Sequence, residues 1–386
     1  MLTSGIHFKN FKKNKKINSS QIRRKILSLF KENNYILNSL KKNYKDNFSK
    51  KLINKYKKYT SFKVIGMGGS TLGTQTIYEF LKDIVKKDFV FIDNLRQKKF
   101  KIKTKKNVNL VVSKSGNTIE TIVNSNIYIK REDANIFITE NKNNYLLKLA
   151  NKLKAEIVHH NNYIGGRYSV LSEVGMLPAE LMGLNVNKFR QLNLLIKNRQ
   201  FINNLVSGVS STLNFIKNKK YNSIILNYDE KSENLFKWYQ QLVAESLGKK
   251  SKGLLPIVSN MPKDNHSVMQ LYLDGFKNNF YTFFYSNELN SESLKNSQIL
   301  SPQKYLRGKN LSNIMYAQKI ATEKVFYKKN LPFRSFEIKK RNEKTLGELF
   351  CFFILETILI GKLLNVNPYD QPAVELIKKE TKKLLV

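Results

Sequence analysis

The stretch Phe62-Lys63-Val64-Ile65-Gly66-Met67-Gly68-Gly69-Ser70-Thr71-Leu72-Gly73 decides how this chain folds. A short strand-like run, Phe62 to Ile65, meets a glycine-rich turn, and an amphipathic segment follows from about Thr71 to Lys86. Glycines let a backbone approach a ligand closely. A helix that starts there offers free N–H groups and the positive end of its dipole. The turn lacks the Gly-Lys-Ser/Thr of a P-loop and the G-x-G-x-x-G of a dinucleotide site. Alone, it predicts a tight strand-to-helix turn.

Outward from this turn the pattern repeats. Strands are expected at Phe89–Ile92, Val108–Val112 and Ala134–Thr139, with a helix from Thr118 to about Lys130. The alternation pauses over a helical stretch, Leu171 to about Lys217. It resumes with a strand at Ser223–Tyr228 and a helix from about Ser232 to Leu247. Further strands are expected at Leu254–Val258, Asn279–Tyr285 and Phe333–Ile338, and helices at Leu346–Leu364 and Ala373–Leu384. Strands alternating with helices imply parallel sheets covered on both faces. The expected class is α/β, with two mostly parallel sheets flanked by helices and helical N- and C-terminal segments. The expected organisation is a helical extension (1–58), a first α/β domain (59–185), a helical connection (186–218), a second α/β domain (219–365) and a C-terminal helix carrying site residues (366–386).

Composition narrows the class. The 386 residues, 41% apolar, leave room for two domains of about 100–200 residues each. A single cysteine, Cys351, allows no internal disulfide, and no Cys/His cluster has metal-ligand spacing; a reducing, cytoplasmic setting is expected. Met1–Lys16 lacks the apolar core of a signal peptide. The longest apolar run, Leu349–Ile360, contains Glu356 and is too short to cross a bilayer, so no membrane association is expected. The net charge of +39 raises the question of nucleic acid. The excess is lysine, 58 against ten arginines, spread along the whole chain. Arginine is the residue that grips phosphates and bases bidentately. The charge therefore reads as a solvated surface with no specific nucleic-acid partner, which would also draw in small anions.

Five further segments carry candidate chemistry. Ser113-Lys114-Ser115-Gly116-Asn117-Thr118 lies between a strand and a helix, so hydroxyls, an ammonium and a helix N-terminus converge as a phosphate cradle. One of those hydroxyls can cap the helix. In Gly165-Gly166-Arg167-Tyr168-Ser169, a scarce arginine projects from a glycine bend. Within Trp238–Lys249, Gln241 and Glu245 are four apart on one helical face. His266 is the one histidine of four in a polar loop-to-helix context. In Asn367-Pro368-Tyr369-Asp370-Gln371-Pro372, two prolines fix an extended entry into a helix that bears Lys378. Each segment alone has a plain structural reading: a capped helix, a salt bridge, a solvated carboxylate, a structural histidine, a proline-started helix.

Together, over roughly residues 61–380 and in this order, the six segments resemble the glucose-6-phosphate isomerase family: GxGGSxLG, SK(S/T)xxT, GGRxS, QQxxxESxGK, HSxxQLxxDG and NPxDQPxVExxK. The resemblance implies two sugar-isomerase (SIS-type) domains. It implies interconversion of glucose 6-phosphate and fructose 6-phosphate, a step of glycolysis and gluconeogenesis, by ring opening and proton transfer through a cis-enediol. It makes Glu245 the base between C2 and C1, His266 with Lys378 the ring-opening acid/base, and Arg167 the stabiliser of the enediolate. Ser113, Lys114, Ser115 and Thr118 would hold the phosphate, with Gly69 and Ser70 nearby, while Gln241 and Gln371 would position the substrate. No metal and no cofactor is implied. A homodimer with shared active sites is, because the family takes its histidine from the neighbouring subunit. The chain departs from the family where the phosphate loop reads Ser-Gly-Asn and where Ala373 replaces a usual glycine. A sugar-phosphate sensor would need the phosphate loop alone and would gain support from an N-terminal helix-turn-helix; residues 1–58 show no clear one.

Overall fold

The computed structural model describes residues 1–12, 19–98, 107–130, 132–288 and 290–386. The chain opens with a strand, β1 (Ile6–Lys9), and not with the helix expected there. Ile6 and Phe8 are buried while His7 and Lys9 face outward, the period of two that a strand imposes. Helices α1 (Ser19–Lys31), α2 (Tyr35–Ser39) and α3 (Lys50–Tyr56) follow. They bury Ile22, Ile26, Leu29, Ile36, Leu37 and Ile53 in the main core, so this segment is part of the body. Residues 13–18 of the expected helical extension lie outside the described residues.

The first sheet comes from β2 (Ser61–Gly66), α4 (Leu72–Phe80), β3 (Asp88–Ile92), β4 (Val108–Val112), α5 (Ile119–Tyr128), β5 (Ala134–Glu140), α6 (Tyr145–Lys152) and β6 (Glu156–His160). Its order is β3-β2-β4-β5-β6, all parallel. Every residue of β2 and β4 is buried, as helices on both faces require. Lys63 in β2 is tolerated there because its Nζ reaches Asp133 at 2.8 Å and the Tyr128 carbonyl at 3.1 Å. Helix α4 ends at Phe80, short of the expected Lys86. Strand β6 has no apolar run to announce it: Glu156, Ile157 and His159 of this edge strand are only half-buried.

Helices α7 (Glu173–Leu181), α8 (Val186–Phe189), α9 (Leu192–Leu195) and α10 (Arg199–Lys217) fill the helical stretch between the sheets. The second sheet comes from β7 (Asn222–Asn227), α11 (Glu233–Leu247), β8 (Leu255–Asn260), α12 (Met269–Asp274), β9 (Asn279–Ser286), α13 (Leu311–Lys328), β10 (Phe333–Ile338) and α14 (Glu343–Leu363). Its order is β1-β10-β9-β7-β8, parallel except for β1, which sets Ile6 opposite Ile338. The Phe8 ring lies 4.4 Å from that of Phe336 and fastens the edge. A last helix, α15 (Val374–Leu384), has no buried residue.

Helix α14 is the centre of the core, buried without interruption from Thr345 to Gly361. That is why the longest apolar run is there. Its Glu356 is matched by Arg334, whose two terminal nitrogens lie 2.5 and 3.0 Å from the carboxylate; a buried carboxylate needs such a partner. No helix among the described residues is long and apolar enough to cross a membrane. Helix α11 of the second unit packs on α4 of the first as well as on β8 and α14. It carries Gln241 and Glu245 into the seam between the two units.

Candidate active site

The chain runs from β2 to β3 on one side of the first sheet and onward from β4 on the other, so the strand order reverses between β2 and β4. In open parallel sheets this switch point, at the carboxyl ends of the strands, is where ligands bind. Gly66 is in register with Val112, and the two quoted turns leave the sheet side by side. The first closes as a 3-10 turn, Gly68–Ser70, with Gly68 at φ +52°. A Cβ on Gly69 would fall 2.2 Å from the Gly166 carbonyl carbon and 2.5 Å from the Arg167 nitrogen. The glycine is therefore required by the contact between this turn and the arginine bend.

Arg167 is buried to 1% exposure, and all its donors are used. Nε donates to Ser246 Oγ (2.8 Å). Nη1 donates to Glu245 Oε2 (3.1 Å) and Gln371 Oε1 (2.7 Å), and Nη2 to the carbonyls of Pro368 (2.8 Å) and Asp370 (3.0 Å). Gln241 Nε2 donates to the other Glu245 oxygen at 2.8 Å. Glu245 thus sits between a fixed cation and an amide while its side chain stays 28% exposed. A partly open carboxylate beside an immovable guanidinium can exchange a proton with a ligand and stabilise an oxyanion on it.

Several residues complete this cluster without having been singled out in the sequence. Trp238 Nε1 donates to the Arg167 carbonyl at 3.0 Å. The Tyr168 hydroxyl joins Ser246 Oγ and the Pro368 carbonyl at 2.8 and 2.9 Å, and burial pushes its pKa up, keeping the proton on. Lys249 Nζ ties the Ser246 carbonyl (2.9 Å) to that of Asn367 (2.6 Å). Burial and then the Arg167 charge push the Lys249 pKa down. Ser246 and Lys249 belong to the same sequence segment as Glu245, and that adjacency was the available signal.

In the second turn Ser113 is buried and its hydroxyl is 2.9 Å from that of Thr118. Thr118 stands at the N-cap of α5 without a side-chain capping bond. Lys114 Nζ lies 3.4 Å from Glu140, and Ser115 Oγ accepts from the Asn117 N–H at 3.3 Å. Ser70, in the neighbouring turn, is half-buried.

Two expected partners stand apart. His266 ends an exposed 3-10 turn, Lys263–His266. Lys378 lies on the exposed face of α15 and pairs with Glu375 at 2.6 Å. Among the described residues neither makes a hydrogen bond or ion pair with Arg167, Glu245, Gln241 or Gln371. No group of three or more His, Cys, Asp or Glu among the described residues could hold a metal ion.

The phosphoglucose isomerase family model matches residues 42–260. The glucose-6-phosphate isomerase of Methanocaldococcus jannaschii is 32% identical over 354 residues, covering 85% of each chain. The chain belongs to the phosphoglucose isomerase family. Solved structures agree on the fold of this family member. A hypothetical protein of Thermus thermophilus superposes with a TM-score of 0.82 at 23% identity, over 95% of this chain and 94% of that one. A glucose-6-phosphate isomerase of Chlamydia trachomatis gives 0.68 at 16% identity, over 91% and 77%. The family's two SIS-type α/β sheets are those described above.

Proposed function

We propose that this chain interconverts glucose 6-phosphate and fructose 6-phosphate by ring opening and proton transfer between C2 and C1. The observation that carries the reading is the Arg167–Glu245 pair, a buried cation against a partly open carboxylate at the seam of the two units. Family membership supports the reaction, and the cluster of Gln241 and Gln371 around that pair supports the assignment of roles.

Glu245 removes the C2 proton of the open-chain sugar and returns it to C1. The negative charge that develops on the enediolate oxygen is met by the Arg167 guanidinium, which is already oriented by its other bonds. Gln241 and Gln371 hold Glu245 and Arg167 in register with the sugar. Ser113, Lys114, Ser115 and Thr118 hold the phosphate, with Gly69 and Ser70 beside it. The phosphate does not react, and its binding fixes the reacting carbons. Ring opening falls to His266 with Lys378. Both are exposed in one copy of the chain, in keeping with a homodimer whose partner brings the histidine to the site. The enzyme serves glycolysis and gluconeogenesis in the cytoplasm.

A coupled assay of fructose 6-phosphate conversion tests the reading, with Glu245→Gln alongside. Turnover by wild type, and a loss of about 10²–10⁴-fold in kcat for the variant with substrate still bound, is the expected result. Sugar-phosphate binding without turnover by wild type would point instead to a sensor.

A further inference from the structure

Behind the arginine bend lies a buried charged cluster that none of these roles uses. His160, the last residue of β6, is 2% exposed. Its Nε2 is 3.0 Å from the Ile164 carbonyl, and its Nδ1 is 3.3 Å from Glu173 Oε2. A carboxylate and a carbonyl, both acceptors, thus flank the ring, one at each nitrogen. Glu173 opens α7, and its Oε1 accepts from the Tyr44 hydroxyl (2.9 Å) and the Asn47 N–H (3.4 Å). Burial alone would push the Glu173 carboxyl up; the bonds from His160 and Tyr44, with the charge on His160, outweigh it and hold it below the usual carboxylate range. Next to it, Arg190 grips both Asp46 oxygens at 2.9 and 2.6 Å and donates to the Leu171 carbonyl at 3.0 Å.

The chain between His160 and Glu173 is the loop that presents Arg167, through the 3-10 turn Gly166–Leu171. Two glycines in succession, Gly165 and Gly166, give this loop little stiffness of its own. Inside the loop the Ser169 hydroxyl donates to the Gly166 carbonyl at 2.7 Å, and groups outside it hold both ends. The Ile164 carbonyl before the glycines is held by His160, and the Leu171 carbonyl at the far end by Arg190.

We propose that His160 is a positioning residue of the isomerase site: clamped between Ile164 and Glu173, it sets where the glycine bend presents the Arg167 guanidinium to the enediolate. This rests on the function proposed above. The inference concerns the transition state, because Arg167 is assigned to the charge that develops there and the phosphate loop lies on other elements.

The test compares wild type with His160→Ala, His160→Gln and Glu173→Gln in the full chain. Two binding probes accompany the kinetics. One is a five-carbon aldonate phosphate, whose planar carboxylate imitates the enediolate; the other is glucitol 6-phosphate, which has no such group. For His160→Ala, kcat should fall about 10- to 100-fold and aldonate phosphate affinity should fall with it. KM and glucitol 6-phosphate affinity should stay within about twofold. His160→Gln should lose less, since its amide N–H still reaches the Ile164 carbonyl. Wild-type turnover matched by all three variants overturns this proposal alone, as does equal weakening of both probes. Failure of all three variants to fold assigns the cluster to stability and also overturns it. A wild type that does not isomerise overturns the function itself, and this inference with it.

Discussion

Arg167 and Glu245 lie 78 residues apart, on the loop after β6 and on the helix after β7, yet their side chains meet at 3.1 Å. The pair is the point at which the two α/β units meet in the proposed site. Ser246 from α11, the backbone at Pro368 and Asp370, and Gln371 bind the same guanidinium and hold it at this meeting.

Arg167→Lys keeps the charge and loses the site. An ammonium offers three donors from one atom, whereas the guanidinium spreads its bonds over five acceptors on two segments. We expect kcat to fall about 10²–10³-fold. Thermal unfolding should also move to lower temperature, because buried acceptors are left unmatched. A kcat near wild type would show that charge alone suffices.

Gly69→Ala places a methyl group 2.2 Å from the Gly166 carbonyl carbon, where no side-chain rotation can relieve it. The turn and the arginine bend must separate, at a cost of roughly 1–3 kcal/mol in stability. A displacement of that kind should lower kcat/KM by about 10- to 100-fold. Chemical denaturation and steady-state kinetics on the same preparation check both figures.

The proposed shared site makes a complementation prediction. Glu245→Gln and His266→Ala should each be nearly inactive, and co-expression with distinct tags should yield hybrids that carry one complete site. Purified hybrids with no more activity than either parent would place Glu245 and His266 of one site on the same copy and overturn the sharing.

Asp133 forms a buried pair with Lys63 at 2.8 Å. Burial by itself would raise its pKa, but hydrogen bonds from Lys63, Asn109 and the Lys130 N–H outweigh burial and lower it. A carboxyl depressed in the folded state contributes stability that is complete above its unfolded value, roughly 3.9, and is lost as pH falls through the lower folded value. Asp133→Asn should cost roughly 3–5 kcal/mol at neutral pH by stranding the Lys63 charge. The gap to wild type in denaturant unfolding should close as pH drops below about 4. A gap independent of pH would mean that the loss is one of packing alone.

Much of the fold was legible in the sequence because its central strands are buried on both faces and are rich in β-branched and aromatic residues; β4, β9 and β10 lie where expected. The elements not anticipated are of another kind. Strand β1 has four residues and only two inward side chains, and β6 is an edge strand with a mixed surface. Helix α13 buries only Lys319, Glu323 and Phe326, so no apolar stripe marks it. Tyr168, Ser246, Trp238 and Lys249 were hidden for a different reason: their sequence neighbours were chosen as candidates, while their own contacts reach across 71 to 200 residues or to backbone carbonyls.

The sequence by itself determined the α/β class, the two glycine-bearing turns and the set of residues from which a site could be built, because backbone freedom, side-chain period and ordered motifs are local properties. Only the tertiary structure decided which of them meet. It set Gly69 against Gly166, Arg167 against Glu245 and Gln371, and β1 against β10, and it left His266 and Lys378 on the surface of a single copy. Such meetings follow from where buried charges can be satisfied and apolar edges covered, and those conditions depend on residues far along the chain.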